Sequence, residues 1–401
     1  MLGQCTQLQE LHITRTLLTG FSEPLKILSK FPSLSLTLDL EEKDLPEGTP
    51  QLAFLQHLGS SLTSLSLRMG DDQDSNSAVL GVLASSLRCL KRLSFETDNG
   101  AFPDHSIFLT LSASPLAHTL TSLSLEMEVP SPDSLAVLMG MPALEMLADA
   151  ALEGFVDAEI PQLQGFSWPE GKAPMSVHLT RGSTTYISAL PLQHVKSFRV
   201  GLLSVPLDGR EEKEATLKVL LSAAAKCPEF VIRGIMAMPL QDRSAGLSPL
   251  IPLGRHCPIK ISHGELYMLR LEMQASDIQG IAAAWGHQLE MLRLDSCLLS
   301  PCAWVALKAD SFKALSILEI SNPSRISNPH GLNTEDFGIH LTALCMDWPA
   351  DRRLNIVLTG WEGAEEMAEN LHHMLNLRGR EYPHLVSGVA IQAAMQQAAA
   401  N

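Results

Sequence analysis

Apolar residues recur along this chain in a six-letter word, with leucine or another large apolar residue at its first, fourth and sixth positions. The word reads Leu62-Thr63-Ser64-Leu65-Ser66-Leu67, then Leu90-Lys91-Arg92-Leu93-Ser94-Phe95, then Leu120-Thr121-Ser122-Leu123-Ser124-Leu125. These copies start 28 (90 − 62) and 30 (120 − 90) residues apart. Three further copies stand at Leu266-Tyr267-Met268-Leu269-Arg270-Leu271, Leu289-Glu290-Met291-Leu292-Arg293-Leu294 and Leu315-Ser316-Ile317-Leu318-Glu319-Ile320. Their spacings are 23 (289 − 266) and 26 (315 − 289). Inside each word apolar and polar positions alternate, which is the period of a strand with one buried face. Recurrence at such an interval marks an array of stacked supersecondary units. Leu65, Leu67, Leu93, Leu123, Leu125, Leu292, Leu294, Leu318 and Ile320 are therefore predicted to be buried.

Short helices are predicted between the words. Ser131-Pro132-Asp133 opens Leu135-Ala136-Val137-Leu138, and Ser300-Pro301 opens Ala303-Trp304-Val305-Ala306-Leu307. Serine accepts from free N–H groups at a helix start, and proline at the first helical position gives up no hydrogen bond. Both serines stand 11 residues after the first leucine of their word (131 − 120 and 300 − 289), and Asp277 holds that place after Leu266. A strand and a helix in fixed phase predict an α/β fold.

The remaining segments follow this frame less closely. The first word, Leu8-Gln9-Glu10-Leu11-His12-Ile13, begins seven residues in, too few for a capping unit over the first core layer. Either the array starts upstream or its amino end packs on something else. A strand is predicted at 34–40, an acidic loop at 41–50 and a helix at 52–58. Between 150 and 260 the repeat is degenerate. Leu163-Gln164-Gly165-Phe166-Ser167-Trp168 and Val195-Lys196-Ser197-Phe198-Arg199-Val200 keep the shape of the word. The stretch 171–191 reads as strands that leave the pattern, and 211–226 reads as a helix ending at Cys227-Pro228. Strand 354–358 precedes an amphipathic helix at 362–377, predicted to cap the array, and the tail from Ile391 is expected to fray. The predicted division is a repeat solenoid over 1–361, regular at 52–140 and 266–320, and a cap with tail over 362–401.

Composition narrows the function classes. The chain of 401 residues is 45% hydrophobic, so a sizeable core can be buried. Its formal charge of −15 disfavours phosphate backbones, and a partner with a basic face would be drawn to it. No apolar run reaches the roughly 18 residues that a membrane helix needs, and Met1-Leu2-Gly3-Gln4-Cys5 lacks the form of a signal peptide. Seven scattered cysteines suit reduced thiols, hence an intracellular place, cytoplasmic or nuclear.

The words and their spacing resemble the leucine-rich repeat family, over roughly 300 residues. The resemblance implies a horseshoe solenoid with a concave parallel sheet and helices on the convex side. The family also carries Asn or Cys at the ninth position of each repeat, bonded to backbone in the turn. Here Cys297 matches, whereas Gly70, Asp98, Glu128, Gln274 and Pro323 depart from the pattern. Intracellular members include inhibitors of other proteins and substrate receptors of ubiquitin ligases. No F-box-like segment precedes Leu8, so a receptor reading would lack its attachment module.

Strand alternation then names the candidate binding face. If the fourth and sixth positions point inward, the third, fifth and seventh point to the concave side. In the amino-terminal block these include Arg68, Arg92, Glu96 and Glu126, among serines 64, 66, 94, 122 and 124. In the carboxy-terminal block they are Met268, Arg270 and Glu272; Met291, Arg293 and Asp295; and Ile317, Glu319 and Ser321. Met268, Met291 and Ile317 would form an apolar column, with Arg270 beside Arg293 and Glu272 beside Asp295. A non-enzymatic scaffold binding another protein on this face is the first expectation. The competing account is that any exposed sheet face must be polar.

Chemistry finds less support. Cys297, Cys302 and Cys345 lack four convergent ligands for zinc, and adjacent His372 and His373 point about 100° apart on a helix. No nucleophile elbow or phosphate-binding loop occurs, and no cofactor is implied. The alternative is an enzyme using the irregular 150–260 region, where His178, Arg181, His194 and Asp208 supply titratable groups without a joining motif. Trp285 continues the helical spacing of Ile278, Ile281 and Ala282 and reads as core.

Overall fold

A computed structural model describes residues 9–13, 30–31, 34–39, 58, 61–69, 73–97, 105–126, 129, 131–152, 166–206, 210–238, 257–321, 334–349, 352, 354–359, 369, 373 and 386–387. The predicted loop at 41–50, most of the helices at 52–58 and 362–377, and the tail lie outside them. The chain divides into two compact units, Met1–Gly201 with Ala223–Glu229, and Leu202–Ser222 with Phe230–Asn401.

In the amino-terminal unit the strands are β1 (Glu10–Ile13), β2 (Leu34–Asp39), β3 (Leu62–Met69), β4 (Arg92–Thr97), β5 (Ser122–Glu126), β6 (Met146–Leu152) and β7 (Met175–Ser183). They lie side by side in chain order, each parallel to the next. β8 (Val195–Pro206) follows β7 in the same order and contains the division between the units. Parallel order in chain sequence requires a return segment after every strand. Those returns are α1 (Gln73–Ser86), α2 (His105–Ala113), α3 (Pro132–Met139) and α4 (Thr184–Ala189), with α1 packed on α2 and α2 on α3.

The core forms where the words said it would. Leu65, Leu67, Leu93, Leu123 and Leu125 are buried in this unit. On β5 burial alternates residue by residue, with Leu123 and Leu125 inward between Ser122, Ser124 and Glu126. Ser131 caps α3 by accepting from Ser134 N–H at 3.1 Å, with Pro132 at the first turn, as its sequence predicts. The segment 171–191 does not leave the pattern. Within it β7 takes its parallel place after β6, through a register irregularity near Asp149. Residues 166–168 of the proposed word at 163–168 are not a strand.

The carboxy-terminal unit repeats the scheme. β9 (Glu229–Met238), β11 (Glu265–Leu269), β13 (Met291–Asp295), β15 (Ile317–Ser321), β16 (Asn355–Thr359) and β17 (Val386–Ser387) are adjacent in that order and parallel. β10 (Ile259–Ile261) pairs with β9, and β12 (Glu272–Met273) pairs with β14 (Leu298–Leu299) in a separate two-stranded sheet. α5 (Arg210–Ala224) covers most of the predicted 211–226 helix. Among the described residues α6 (Ala275–Trp285), α7 (Pro301–Ala306) and α8 (Thr334–Asp347) follow, with α6 packed on α7 and α7 on α8. Leu292, Leu294, Leu318 and Ile320 are buried, and Trp285 is core, its Nε1 donating to Ile259 O at 2.9 Å. Among the described residues no helix is long and apolar enough to cross a membrane.

One repeat is out of step with its predicted register. β11 pairs Glu265 with Met291, Leu266 with Leu292, Tyr267 with Arg293 and Leu269 with Asp295. The equivalent of the Leu289 word is therefore His263-Gly264-Glu265-Leu266-Tyr267-Met268, and the spacing is 26 (289 − 263). His263 and Gly264, at φ of 52° and 70°, make the tight turn between β10 and β11, closed by a bridge from Ser262 to Glu265. The helix cap moves with the register. Gln274 is the N-cap of α6, and Asp277 sits three residues in, returning a 2.7 Å hydrogen bond from Gln274 N–H in a capping box. Gln274 lies 26 residues before Ser300, which caps α7 by accepting from Ala303 N–H at 3.2 Å.

Candidate functional site

On each sheet the face opposite the buried leucines carries the polar positions. In the amino-terminal unit one row runs Ser35, Ser64, Arg92, Ser122, Met146, and the next runs Thr37, Ser66, Ser94, Ser124, Ala148. A third row brings together Arg68, Glu96 and Glu126 at the strand ends. Arg68 Nε stands 3.7 Å from Glu96 Oε1, and all four predicted residues, Arg68, Arg92, Glu96 and Glu126, are exposed or half-buried on this face. Asp149, held at φ 62° where β6 breaks register, adds a further carboxylate and accepts from Ser124 Oγ at 2.5 Å. Burial, then Glu96 and Asp149, raise the Glu126 carboxyl above its ordinary pKa, and Arg68 opposes them.

In the carboxy-terminal unit the rows differ from those predicted. The strand residues that share the face with Met291, Arg293 and Asp295 are Glu265, Tyr267 and Leu269. Met268 is wholly buried, because it fills the sixth, inward position of its word. Arg270 lies past the strand at φ 58°, in register with Ser296 at φ 53°, so the two occupy equivalent turns of successive repeats. Glu272 belongs to β12, opposite Leu298. The apolar column is thus Met291 and Ile317 with Glu265 at its head; Tyr267 takes the place beside Arg293 predicted for Arg270, and Leu269 the place beside Asp295 predicted for Glu272.

The corrected register brings unlike groups together. Arg293 lies between Tyr267 and Glu319. Its Nη2 donates to Glu319 Oε1 at 3.0 Å, while Nε stands 2.9 Å from Oε2 as an ion pair without a hydrogen bond of its own. The guanidinium carbon is 5.6 Å from the centre of the Tyr267 ring. Tyr267 Oη donates to Asp295 Oδ2 at 2.8 Å. Burial first, then that hydrogen bond, raise the phenol pKa. Ser321 and Thr359 hydroxyls pair at 2.6 Å beyond. Tyr267, Glu265 and Leu269 were missed because Leu266 opens a word of the right letters three residues late. The signal that could have found them is Met268, an apolar residue able to fill the sixth position.

Of the catalytic alternatives, three lie among the described residues. His178, half-buried on β7, has its pKa lowered by burial and by Arg199, against Asp149 and Glu229. Arg181 is exposed near the end of the same strand. His194 stacks on Trp168 at 4.5 Å and 8°. Asp208 lies outside the described residues. Among the described residues no three His, Cys, Asp or Glu side chains are grouped to hold a metal ion. Cys297 takes the turn role that its position implied, with Sγ donating to Met268 O at 3.3 Å, while Cys302 is exposed and Cys345 buried elsewhere. Cys227 plays a similar part toward Val195 O at 3.3 Å.

No family model matches the chain, and no curated protein matches it. Among solved structures, it is similar to the leucine-rich repeat-containing protein LegL7 from Legionella pneumophila. That likeness has 14% identity and a TM-score of 0.35, covering 94% of this chain and 100% of that one.

Proposed function

We propose that this chain is a non-enzymatic protein-binding scaffold of leucine-rich repeat type, and that the polar face of its parallel sheet receives the partner. In this reading the face is the concave side of a curved solenoid, and the protein works inside the cell. The observation that carries it is the patch on β13 and β15. There half-buried Met291 and Ile317 lie beside the Tyr267–Arg293–Glu319 row, in which Arg293 is paired with Glu319 across the sheet. Methionine adapts to varied partner shapes, and polar groups already held in place beside it lose little side-chain freedom on docking. The strand ends of unit one, where Glu96, Glu126 and Asp149 outnumber Arg68, would favour a basic region of the same partner or of another.

The experiment is affinity capture on the full chain, with bound proteins identified and then titrated. A Met291→Ala, Ile317→Ala double variant should weaken the captured partner about tenfold or more while melting near the wild-type temperature. Equal affinity in that variant would remove this patch as the docking surface. Arg293→Glu is a poor probe, because it sets a carboxylate beside Glu319 and should destabilise the sheet itself.

A further inference from the structure

Four strand arginines of this chain follow one habit. Arg68, Arg199, Arg233 and Arg293 each pair with a glutamate on the next strand of the sheet, Glu96, Glu229, Glu265 and Glu319, at 3.7, 3.0, 3.4 and 2.9 Å. Arg92 on β4 breaks it. Its register partner on β5 is Ser122, and on β3 it is Ser64. Among the described residues its exposed side chain has no ion pair and no hydrogen bond. A hydroxyl cannot neutralise a guanidinium, so this charge stands open on the polar face of the amino-terminal unit. Arg88 and Lys91, both exposed and both without an ion pair among the described residues, add two cations at the entrance to the same strand. In the following row Ser94 lies between Ser66 and Ser124. Four residues along the strands from Arg92 and Ser122, about 13 Å away, the sign reverses. There Glu96 and Glu126, with Asp149 near Glu126, outnumber Arg68.

We propose that Arg92, flanked by Ser64 and Ser122, receives the phosphate of a phosphorylated serine or threonine in a partner peptide, whose basic residue lies toward Glu96 and Glu126. This rests on the reading of the polar face as the docking surface, and it names what that face selects in the amino-terminal unit. The donor set favours phosphate over carboxylate. A carboxylate has two oxygens, and the fork of one guanidinium occupies both. A phosphate monoester has three terminal oxygens. It can take N–H bonds from Arg92 and an O–H bond from a serine on a neighbouring strand, about 4.8 Å to either side. Its charge, close to two at neutral pH, also suits the further cations Arg88 and Lys91. The acidic strand ends favour a peptide over a nucleic acid or a lipid surface. Successive phosphates, or a plane of anionic headgroups, would meet Glu96, Glu126 and Asp149 and be repelled, whereas a peptide can set a lysine or arginine there. The formal charge of −15 on the whole chain adds to that repulsion.

The probe is the peptide acetyl-Ala-phosphoSer-Ala-Ala-Ala-Lys-Ala-amide, which in extended form spans the distance from Arg92 to Glu96. It is titrated into the full chain and followed by backbone amide NMR shifts. Saturable shifts should fall on Ser64, Arg92 and Ser122. Arg92→Gln should weaken binding about tenfold or more and melt near wild type, since it breaks no ion pair. Serine in place of phosphoserine should abolish binding, and glutamate there should weaken it about tenfold. Equal affinity for the glutamate peptide overturns phosphate as the group selected. Inorganic phosphate binding as tightly as the peptide, or a single-stranded oligonucleotide binding more tightly, overturns the peptide as its source. No shift at millimolar probe, or an Arg92→Gln variant that binds like wild type, overturns the site itself. None of these outcomes depends on Met291 or Ile317, so failure here is separate from failure of the patch on β13 and β15.

Discussion

Cys297, buried within the turn after β13, gives its S–H to Met268 O, and removal from water pushes its thiol up to about 12. A thiolate there would face carbonyl oxygens with no compensating cation. Cys345, also buried, is pushed up to about 12 by the same loss of hydration. Cys89 and Cys302 are exposed. An alkylating reagent at pH 8 should therefore label Cys89 and Cys302 in the folded chain, and Cys297 and Cys345 only after denaturation, as peptide mapping would read. Equal labelling of Cys297 in the folded chain would contradict its place in the turn. Glu126 makes an opposite case, a charge held against its neighbours. Its folded pKa is raised, so the folded chain binds more protons than the unfolded chain above the ordinary carboxyl range. Stability from this residue then falls as pH rises through that range. Glu126→Gln should raise the melting temperature at pH 7 and leave it nearly unchanged at pH 4. A variant that melts lower at pH 7 would mean the Arg68 attraction dominates.

At the scale of an element, each repeat joins one half-buried strand to a return segment with a defined start. Leu123 sits at the centre of β5 with no exposure, paired beside Leu93 and Leu147. Leu123→Ala should cost about 2–5 kcal/mol in chemical denaturation, as removal of a fully packed leucine does. Ser300→Ala removes the oxygen that accepts from Ala303 N–H and should cost about 1 kcal/mol. Strands and caps of this kind were legible because a period of two and a Ser-Pro pair are local signals. Register was legible where the apolar positions of a word were met by no overlapping second word, as in β3 to β5, β13 and β15. Around β11 two overlapping words compete. The late one, with Leu269 and Leu271, has better letters, whereas the early one, with Leu266 and Met268, has the partners that set the sheet. Only the pairing of Leu266 with Leu292 decides between them, and pairing is not a property of one segment. The error moved Met268 from core to surface and supplied Arg270 and Glu272 as false neighbours.

For the whole molecule the order of strands matters more than any one of them. From β1 to β7 each strand is parallel to the next in chain order, and β5 pairs with β4 on one side and β6 on the other. In such an array a layer is stabilised mainly by the layers that touch it, so local damage spreads by nearest-neighbour steps. Leu123→Ala opens a void between β4 and β6 and leaves the pairing of β13, β15 and β16 untouched. Native-state hydrogen exchange should separate the effects, because amides report the opening free energy of the region that frees them. Amides of β4, β5 and β6 should lose protection by the full cost of the truncation, about a thousandfold in exchange rate at 4 kcal/mol. Those of β13 and β15 should change far less. The reciprocal variant, Leu292→Ala, has the same burial on β13 and should reverse the pattern. Uniform loss of protection across all five strands in both variants would mean that the chain opens as one cooperative body, and a nearest-neighbour account of its stability would fail.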